Sequence, residues 1–195
     1  MPKSQAVNPA VVEKTFREIL EARKDILYIS FSSALSGSCD IVRMVAKQLV
    51  EEEYPNAAIE VVDSLCVSLG EGLLVNKALT MQAQGKALAE VRDWLVENAA
   101  HVCVKFTVDD LFHLQRGGRV SKATAVVGSV LNLKPVLKLT PEGKLEAAGT
   151  VRGRKKSLTA LVDYMAEKMP GYEALNDMVA IVHGDCLEDA QFVAK

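Results

Sequence analysis

Long apolar segments, a strong net charge and closely spaced cysteines are all missing from this chain of 195 residues. No apolar run approaches the about 20 residues that a membrane-spanning helix needs, so we expect no stable membrane insertion. The 23 lysines and arginines nearly balance 25 aspartates and glutamates, which predicts neither a nucleic-acid surface nor an anionic-membrane surface. Residues 1–5 lack the apolar region of a secretory signal, and the sequence therefore predicts a cytoplasmic protein.

The motifs that hold metals, nucleotides or covalent intermediates are missing as well. His101 and His113 lack ligand spacing to any cysteine or carboxylate. The chain has no GxxxxGK(S/T) loop, no GxGxxG after a strand and no GxSxG. We therefore expect no metal site and no cofactor. Buried free thiols are favoured over disulfides because the four cysteines are far apart, at Cys39, Cys66, Cys103 and Cys186.

The most informative segment is a run of serines between an apolar strand and an amphipathic helix. Residues 25–31 are β-prone, Ser32 and Ser33 follow, and Ser36 is placed to cap a helix with a 3.6-residue apolar period. Hydroxyls and unpaired backbone N–H groups converge at such a junction, and the helix dipole favours negative charge. Because no lysine or arginine lies nearby in the sequence, the junction suits a carboxylate better than a polyphosphate. A capped junction without a ligand is the open alternative.

Alternating strand and helix patterns predict an α/β fold whose first domain has a parallel, helix-covered sheet. Asn8 followed by Pro9 predicts the first helix start, because asparagine caps helices and proline fits the first helical position. We place this domain at 1–106 and a second domain at 107–195. The strands predicted for the first domain, with helices between them, are 25–31, 59–63 and 101–108.

The second domain is predicted to be an α/β domain with an antiparallel hairpin. Two strands, 136–139 and 145–151, flank the turn Pro141–Gly143. The other predicted elements are a short helix after Asp109-Asp110, a buried apolar helix at 123–131, an amphipathic helix around 158–165, a last strand at 178–183 and a helix from Leu187.

Two basic motifs are further candidates for function. Arg119 follows a glycine pair at a predicted helix end, where it either caps the helix or turns a cation toward a ligand. A second cluster opens a predicted helix, the end at which the dipole disfavours cations. This placement favours docking to an acidic partner over an intramolecular role. The cluster consists of Arg152, Arg154, Lys155 and Lys156.

Taken in this order, the motifs of the chain resemble those of the DegV family of bacterial fatty-acid-binding proteins. Each motif alone is weak, but together they span nearly the whole chain at matching spacing. The motifs that carry the resemblance are Ser4-Gln5, Ile29 to Ser38, Val62 to Ser64, Val108 to Leu111, Leu114 to Val120, Leu133 to Leu137, Val151 to Lys156 and His183 to Ala190.

The resemblance implies a two-domain α/β protein that holds one long-chain fatty acid, such as palmitate, between its domains. It also implies that a separate fatty acid kinase converts the bound acid to acyl phosphate, so that this chain is a non-catalytic carrier. The family's carboxylate ligands correspond to Ser33, with Ser32 beside it, and to the upstream Ser4. Lys3 stands where the family has a threonine, and the family's opening strand and closing segment are expected to lie outside this chain.

The resemblance also suggests roles for the basic motifs. The family's ligand-site arginine corresponds to Arg119, and its kinase-docking arginine corresponds to Arg152, with Arg154 beside it. Two other functions stay open from the residues themselves. One is a small phosphotransferase or hydrolase that uses Ser33 or His183, and the other is a truncated interaction module that no longer retains lipid.

Overall fold

The computed structural model describes residues 4–109, 111–120, 132–175 and 178–195. These residues divide into two compact units. The first unit runs to Val102 and also includes the turn Pro141–Lys144, while the second contains Cys103–Thr140 and Leu145–Lys195. Both units contain strands and helices, which confirms the predicted α/β class. None of the helices in these ranges is long and apolar enough to cross a membrane.

The first unit begins with a helix whose start was correctly predicted. The Asn8 side chain accepts a hydrogen bond from the Ala10 N–H at 2.9 Å, and Pro9 occupies the first helical turn. The capping bond satisfies one of the N–H groups that a helix start leaves without a partner. The elements of this unit are α1 (Pro9–Glu21), β1 (Ile26–Ser30), α2 (Ser38–Glu52), β2 (Ile59–Asp63), α3 (Leu69–Ala83), α4 (Leu88–Asn98) and a 3₁₀ turn (Ala99–His101).

Strands β1 and β2 pair in parallel, as predicted, with Ile26 opposite Ile59 and Ser30 opposite Asp63. Both strands therefore end at the same edge of the sheet, which brings the residues after Ser30 and Asp63 together. Helices α1 and α2 bury their apolar stripes at the sheet. The resulting core consists of Val12, Phe16, Leu20, Ile26, Val42, Val45, Ala46 and Leu49.

The second unit contains a three-stranded antiparallel sheet in the order β3-β4-β5, which confirms the predicted hairpin. Leu137 lies in the central strand and is fully buried, with Leu111 and the partly buried Phe106 packed against it. The elements of this unit are β3 (Lys105–Thr107), α5 (Leu111–Arg116), β4 (Leu133–Leu139), β5 (Leu145–Arg152), α6 (Arg154–Lys168), a 3₁₀ turn (Glu173–Leu175) and α7 (Leu187–Val193).

The prediction that residues 101–108 extend the parallel sheet is wrong. Only β3 is a strand there, and it pairs antiparallel with β4, with Phe106 opposite Leu137. Residues 99–101 instead continue the preceding helix as a 3₁₀ turn. A short apolar run is typical of either kind of sheet, so its partner is decided by contacts that are distant in sequence.

The prediction of a last strand at 178–183 is also wrong. These residues form no strand, because no described strand pairs with them. Four of their apolar side chains are exposed: Met178, Val179, Ile181 and Val182. The predicted apolar helix at 123–131 lies outside the described residues.

Candidate functional site

The candidate site begins where β1 ends and the serine run follows. Ser30 and Ser32 are fully buried, whereas Phe31 is 37% exposed and Ser33 is exposed as well. Successive side chains of a strand point to opposite faces, and this two-residue alternation continues past the end of β1. The two adjacent serines of the motif therefore have different environments.

Ser32 is buried, and both its N–H and its hydroxyl donate hydrogen bonds within the first unit. Its N–H donates to the Cys66 carbonyl at 2.9 Å, and its hydroxyl donates to the Gly143 carbonyl at 2.8 Å. A serine hydroxyl has one proton to donate, and here Gly143 accepts it. The Ser32 hydroxyl therefore holds the loop in place, and the expectation that Ser32 also contributes to a ligand site beside Ser33 stays a prediction.

Gly143 fits closely against the serine motif. Its φ is +74°, and a Cβ atom there would lie 2.2 Å from the Ser32 Oγ, 3.0 Å from the Leu65 carbonyl oxygen and 3.1 Å from the Leu65 Cα. Glycine is required on both counts, because the left-handed conformation and the close approach exclude a side chain. Sequence reasoning placed Gly143 in a hairpin turn but missed this contact, which joins residues 111 positions apart.

Ser33 presents its hydroxyl outward, while its backbone N–H is already bound. The N–H donates to both carboxylate oxygens of Asp63, at 3.2 and 3.3 Å, and Asp63 also accepts the Leu65 N–H at 2.9 Å. The Ser33 hydroxyl has no hydrogen-bond partner among the described residues. Asp63 thus occupies a donor that sequence reasoning left for a ligand, and the side chain is the group that remains to bind one.

The N-cap of α2 lies one residue after the predicted cap, Ser36. The helix begins at Ser38 with Gly37 as its N-cap, and Ser36 accepts the Ser38 N–H at 3.3 Å from outside the helix. The Ser38 hydroxyl lies 3.0 Å from the Ser36 hydroxyl and accepts the Val7 N–H at 3.2 Å. These two serines tie the segment before α1 to α2. Ser4 lies three residues before Val7 and is exposed.

Cys39 is the nearest thiol to this junction and is completely buried. Burial raises the pKa of the Cys39 thiol, and the neighbouring Ser30 side chain offsets part of that effect. The thiol therefore stays protonated at neutral pH and is a poor nucleophile. None of the four cysteines, all of which lie in the described ranges, forms a disulfide; Cys39 and Cys66 are buried, but the expectation of buried thiols is wrong for Cys103, which is exposed.

Arg119 lies at the end of α5 in a helix-capping geometry. The Arg119 N–H donates to the Leu114 carbonyl at 3.1 Å, and the Gly118 N–H donates to the Gln115 carbonyl at 2.9 Å. With Gly118 at a φ of +74°, these two bonds form a Schellman motif. The guanidinium also donates to the Gly117 carbonyl. The capping interpretation explains this geometry, and the ligand role of Arg119 stays a prediction.

The basic cluster divides into an exposed and a paired part. Arg154 donates from Nε to Asp189 at 2.8 Å, and its guanidinium lies 3.9 Å from Asp109. These carboxylates offset the unfavourable dipole at the start of α6, so the expectation that intramolecular contacts do not explain the cluster is wrong for Arg154. Arg152, at the end of β5, is exposed, as are Lys155 and Lys156.

His183 acts locally in the second unit. Its Nδ1 accepts the Cys186 N–H at 3.2 Å, immediately before α7, which indicates a structural role in the loop rather than that of a general base. Within the described ranges, no group of three or more histidine, cysteine or carboxylate side chains is arranged to hold a metal ion.

Comparison with known proteins adds the family context of this site. Residues 1–195 match the family model described as "Uncharacterised protein, DegV family". A DegV domain-containing protein of Clostridium perfringens is 38% identical over 195 residues, which is all of this chain and 66% of that protein. The chain thus spans somewhat less than two thirds of that relative's length.

Two solved structures give the likeness in three dimensions. A DegV family protein of Ruminococcus gnavus, refined with vaccenic acid, matches with a TM-score of 0.84 and 26% identity over 98% of this chain and 66% of that one. The fatty acid kinase (Fak) B3 protein of Streptococcus pneumoniae, loaded with linoleic acid, matches with a TM-score of 0.76 and 29% identity. That match covers 85% of this chain and 57% of the other.

Proposed function

Because this chain belongs to the DegV family, we propose that it is a carrier that binds a long-chain fatty acid and orients the carboxylate with Ser33. The observation that carries the proposal is the Ser33 hydroxyl, which is exposed at the sheet edge and has no partner among the described residues. The relatives from R. gnavus and S. pneumoniae, with vaccenic and linoleic acid, support the ligand class.

The two parts of a fatty acid contribute differently to binding: the apolar tail provides most of the affinity, and the carboxylate head provides the orientation. A sixteen-carbon acid carries about fourteen methylenes, and burial at ~0.8 kcal/mol each contributes roughly 11 kcal/mol before entropic costs. A hydrogen bond to the charged head contributes about 1.5–3 kcal/mol. The serine therefore needs only to orient a head group whose affinity comes from its tail. Ser4 and Arg119 stay predicted as further contacts of the head group.

We propose further that the chain does no phosphoryl chemistry itself. A nucleophilic serine needs a base within hydrogen-bond reach, and the Ser33 hydroxyl has no such partner among the described residues. The S. pneumoniae relative is named as a fatty acid kinase protein, which supports a kinase as the partner. In this proposal the kinase makes the acyl phosphate, and the cytoplasmic location stays a prediction.

Native mass spectrometry of the chain incubated with palmitate tests the ligand. We expect an adduct of one fatty acid, and its absence would instead support an interaction module that does not retain lipid. Ser33→Ala should weaken palmitate binding at least tenfold, since it removes a donor to a charged group. Thr15→Ala is the matched control, because it removes an exposed hydroxyl from α1. Equal affinity of the two variants, both folded, would contradict the assignment of Ser33.

A kinase assay tests the docking surface, which we assign to the exposed Arg152, Lys155 and Lys156. Arg152→Ala should leave palmitate affinity unchanged and slow acyl-phosphate formation, because removing a docking charge weakens the encounter with an acidic partner. Lys24→Ala removes one exposed charge from the first unit and should leave both unchanged. If Arg152→Ala weakens lipid binding and turnover equally, Arg152 contacts the ligand.

A further inference from the structure

We propose that Ser32 is a positioning residue for the head group, which acts by holding the Gly143 turn against the backbone that presents Ser33. The inference rests on the proposed function, because it assigns to Ser33 the contact with the ligand carboxylate. Ser32 itself contacts no ligand in this account: its role is to fix the position of its neighbour.

Every polar group of Ser32 is engaged. Its N–H donates to Cys66 and its hydroxyl to Gly143, while its carbonyl accepts the N–H groups of Leu35 and Ser36 at 3.1 Å each. Ser32 is fully buried and all of its polar groups are hydrogen-bonded, so a change of its conformation would break at least one of these bonds. Because Ser33 is covalently next to it, fixing Ser32 restricts the Ser33 backbone and therefore the direction of the Ser33 Cα–Cβ bond, which carries the hydroxyl.

A second route joins the same turn to Ser33. Gly143 packs closely against the Leu65 backbone, since a Cβ atom added at Gly143 would lie 3.0 Å from the Leu65 carbonyl oxygen. The Leu65 N–H donates to Asp63. Asp63 in turn accepts the Ser33 N–H. The turn therefore reaches Ser33 through the Ser32 hydroxyl on one side and through Leu65 and Asp63 on the other.

Thermodynamic linkage gives the consequence. If the hydrogen bond between Ser32 and the Gly143 turn favours head-group binding at Ser33, then binding of the head group must stabilise that hydrogen-bonded turn by the same free energy. Fatty acid should therefore slow amide exchange in the turn. A purely structural role for Ser32 would lower stability without coupling the turn to the ligand.

The test is a double-mutant cycle on palmitate affinity with Ser32→Ala, Ser33→Ala and the double variant. Ser32→Ala should weaken binding roughly two- to tenfold, the range that follows from one hydrogen bond, and should have little further effect once Ser33 is alanine. Ser157→Ala is the matched control: Ser157 is also fully buried, and its hydroxyl donates to the Arg154 carbonyl at 2.8 Å. It should not change affinity.

Hydrogen exchange of Glu142 to Lys144 in the unmodified chain, with and without palmitate, gives a readout that needs no variant. We expect slower exchange with palmitate, and loss of that effect in Ser32→Ala. If the chain binds palmitate but exchange does not change, or if Ser32→Ala and Ser157→Ala bind alike, the positioning role is wrong. If the unmodified chain binds no palmitate, the proposed function fails first and the positioning role fails with it.

Discussion

Substituting Gly143 by alanine separates steric contact from backbone strain, because the chain contains a matched glycine. Gly85 has a φ of +80°, close to the +74° of Gly143, and both lie in the first unit. An added Cβ at Gly85 meets no atom within 4 Å, whereas at Gly143 it meets the Ser32 Oγ at 2.2 Å. Backbone strain should be nearly equal in the two variants, so any difference reports the packing of the turn.

The magnitude follows from the contacts. An alanine in the left-handed region costs about 1–2 kcal/mol at either position. At Gly143 the Cβ also displaces the Ser32 hydroxyl, which loses a hydrogen bond of about 1 kcal/mol, and crowds the Leu65 backbone at 3.0 Å, an overpacking cost of about 1–3 kcal/mol. Gly143→Ala should therefore lower the free energy of unfolding by about 3–6 kcal/mol, against about 1–2 kcal/mol for Gly85→Ala.

Fluorescence provides the assay, since the chain has a single tryptophan, Trp94, and it lies in α4 of the first unit. Urea unfolding followed at Trp94 thus reports the unit that contains both glycines. We expect the midpoint of Gly143→Ala to fall about two to five times as far as that of Gly85→Ala. Equal midpoints for the two variants would mean that the turn is not packed on Ser32, and would refute the reasoning.

Two predictions concern the second unit. The Lys134 ammonium, hydrogen-bonded to Asp109, holds the pKa of that carboxyl below its usual value. This ion pair stabilises the fold by at most about 1 kcal/mol, because Asp109 is exposed. The stabilisation is fully present above the pKa of the unfolded state, about 4, and is lost as the pH falls through the lower pKa of the folded state. Urea midpoints of wild type and Asp109→Asn by circular dichroism should therefore converge in acid, and a constant gap would contradict this. Separately, Arg154→Ala should lower the free energy of unfolding by about 1–3 kcal/mol because it leaves Asp189 unpaired. Arg152→Ala should change the free energy of unfolding by no more than about 0.5 kcal/mol, and equal costs for the two variants would contradict the division of the cluster.

Local signals in the sequence predicted the elements that depend on neighbouring residues. Asn8 and the apolar stripe after it define α1, and the β-prone run before Ser32 defines β1. The hairpin of β4 and β5 follows from the turn residues between two apolar runs. Each of these is decided within a few residues, where propensity, capping and period all agree.

The errors arose where distant residues decide the outcome. The run at 105–107 is β-prone in any sheet, but its partner is Leu137 and its neighbours, about thirty positions further along the chain. At the candidate site, the Ser33 N–H is taken by a carboxylate from the end of β2. No local pattern identifies the partner of the run at 105–107. For Asp63 the sequence did carry a signal, since two parallel strands that end in polar residues meet at one edge of a sheet.

The serine motif and the basic cluster both show that neighbouring residues of the same type can have different roles. Strand alternation turns Ser32 inward and Ser33 outward, so one serine anchors the loop while the side chain of the other is exposed. Arg152 ends a strand and is exposed, whereas Arg154 begins a helix and pairs with Asp189. Substituting either motif as a whole would therefore combine a stability defect with a binding defect. Single substitutions, each with its own stability control, are needed to assign function at both motifs.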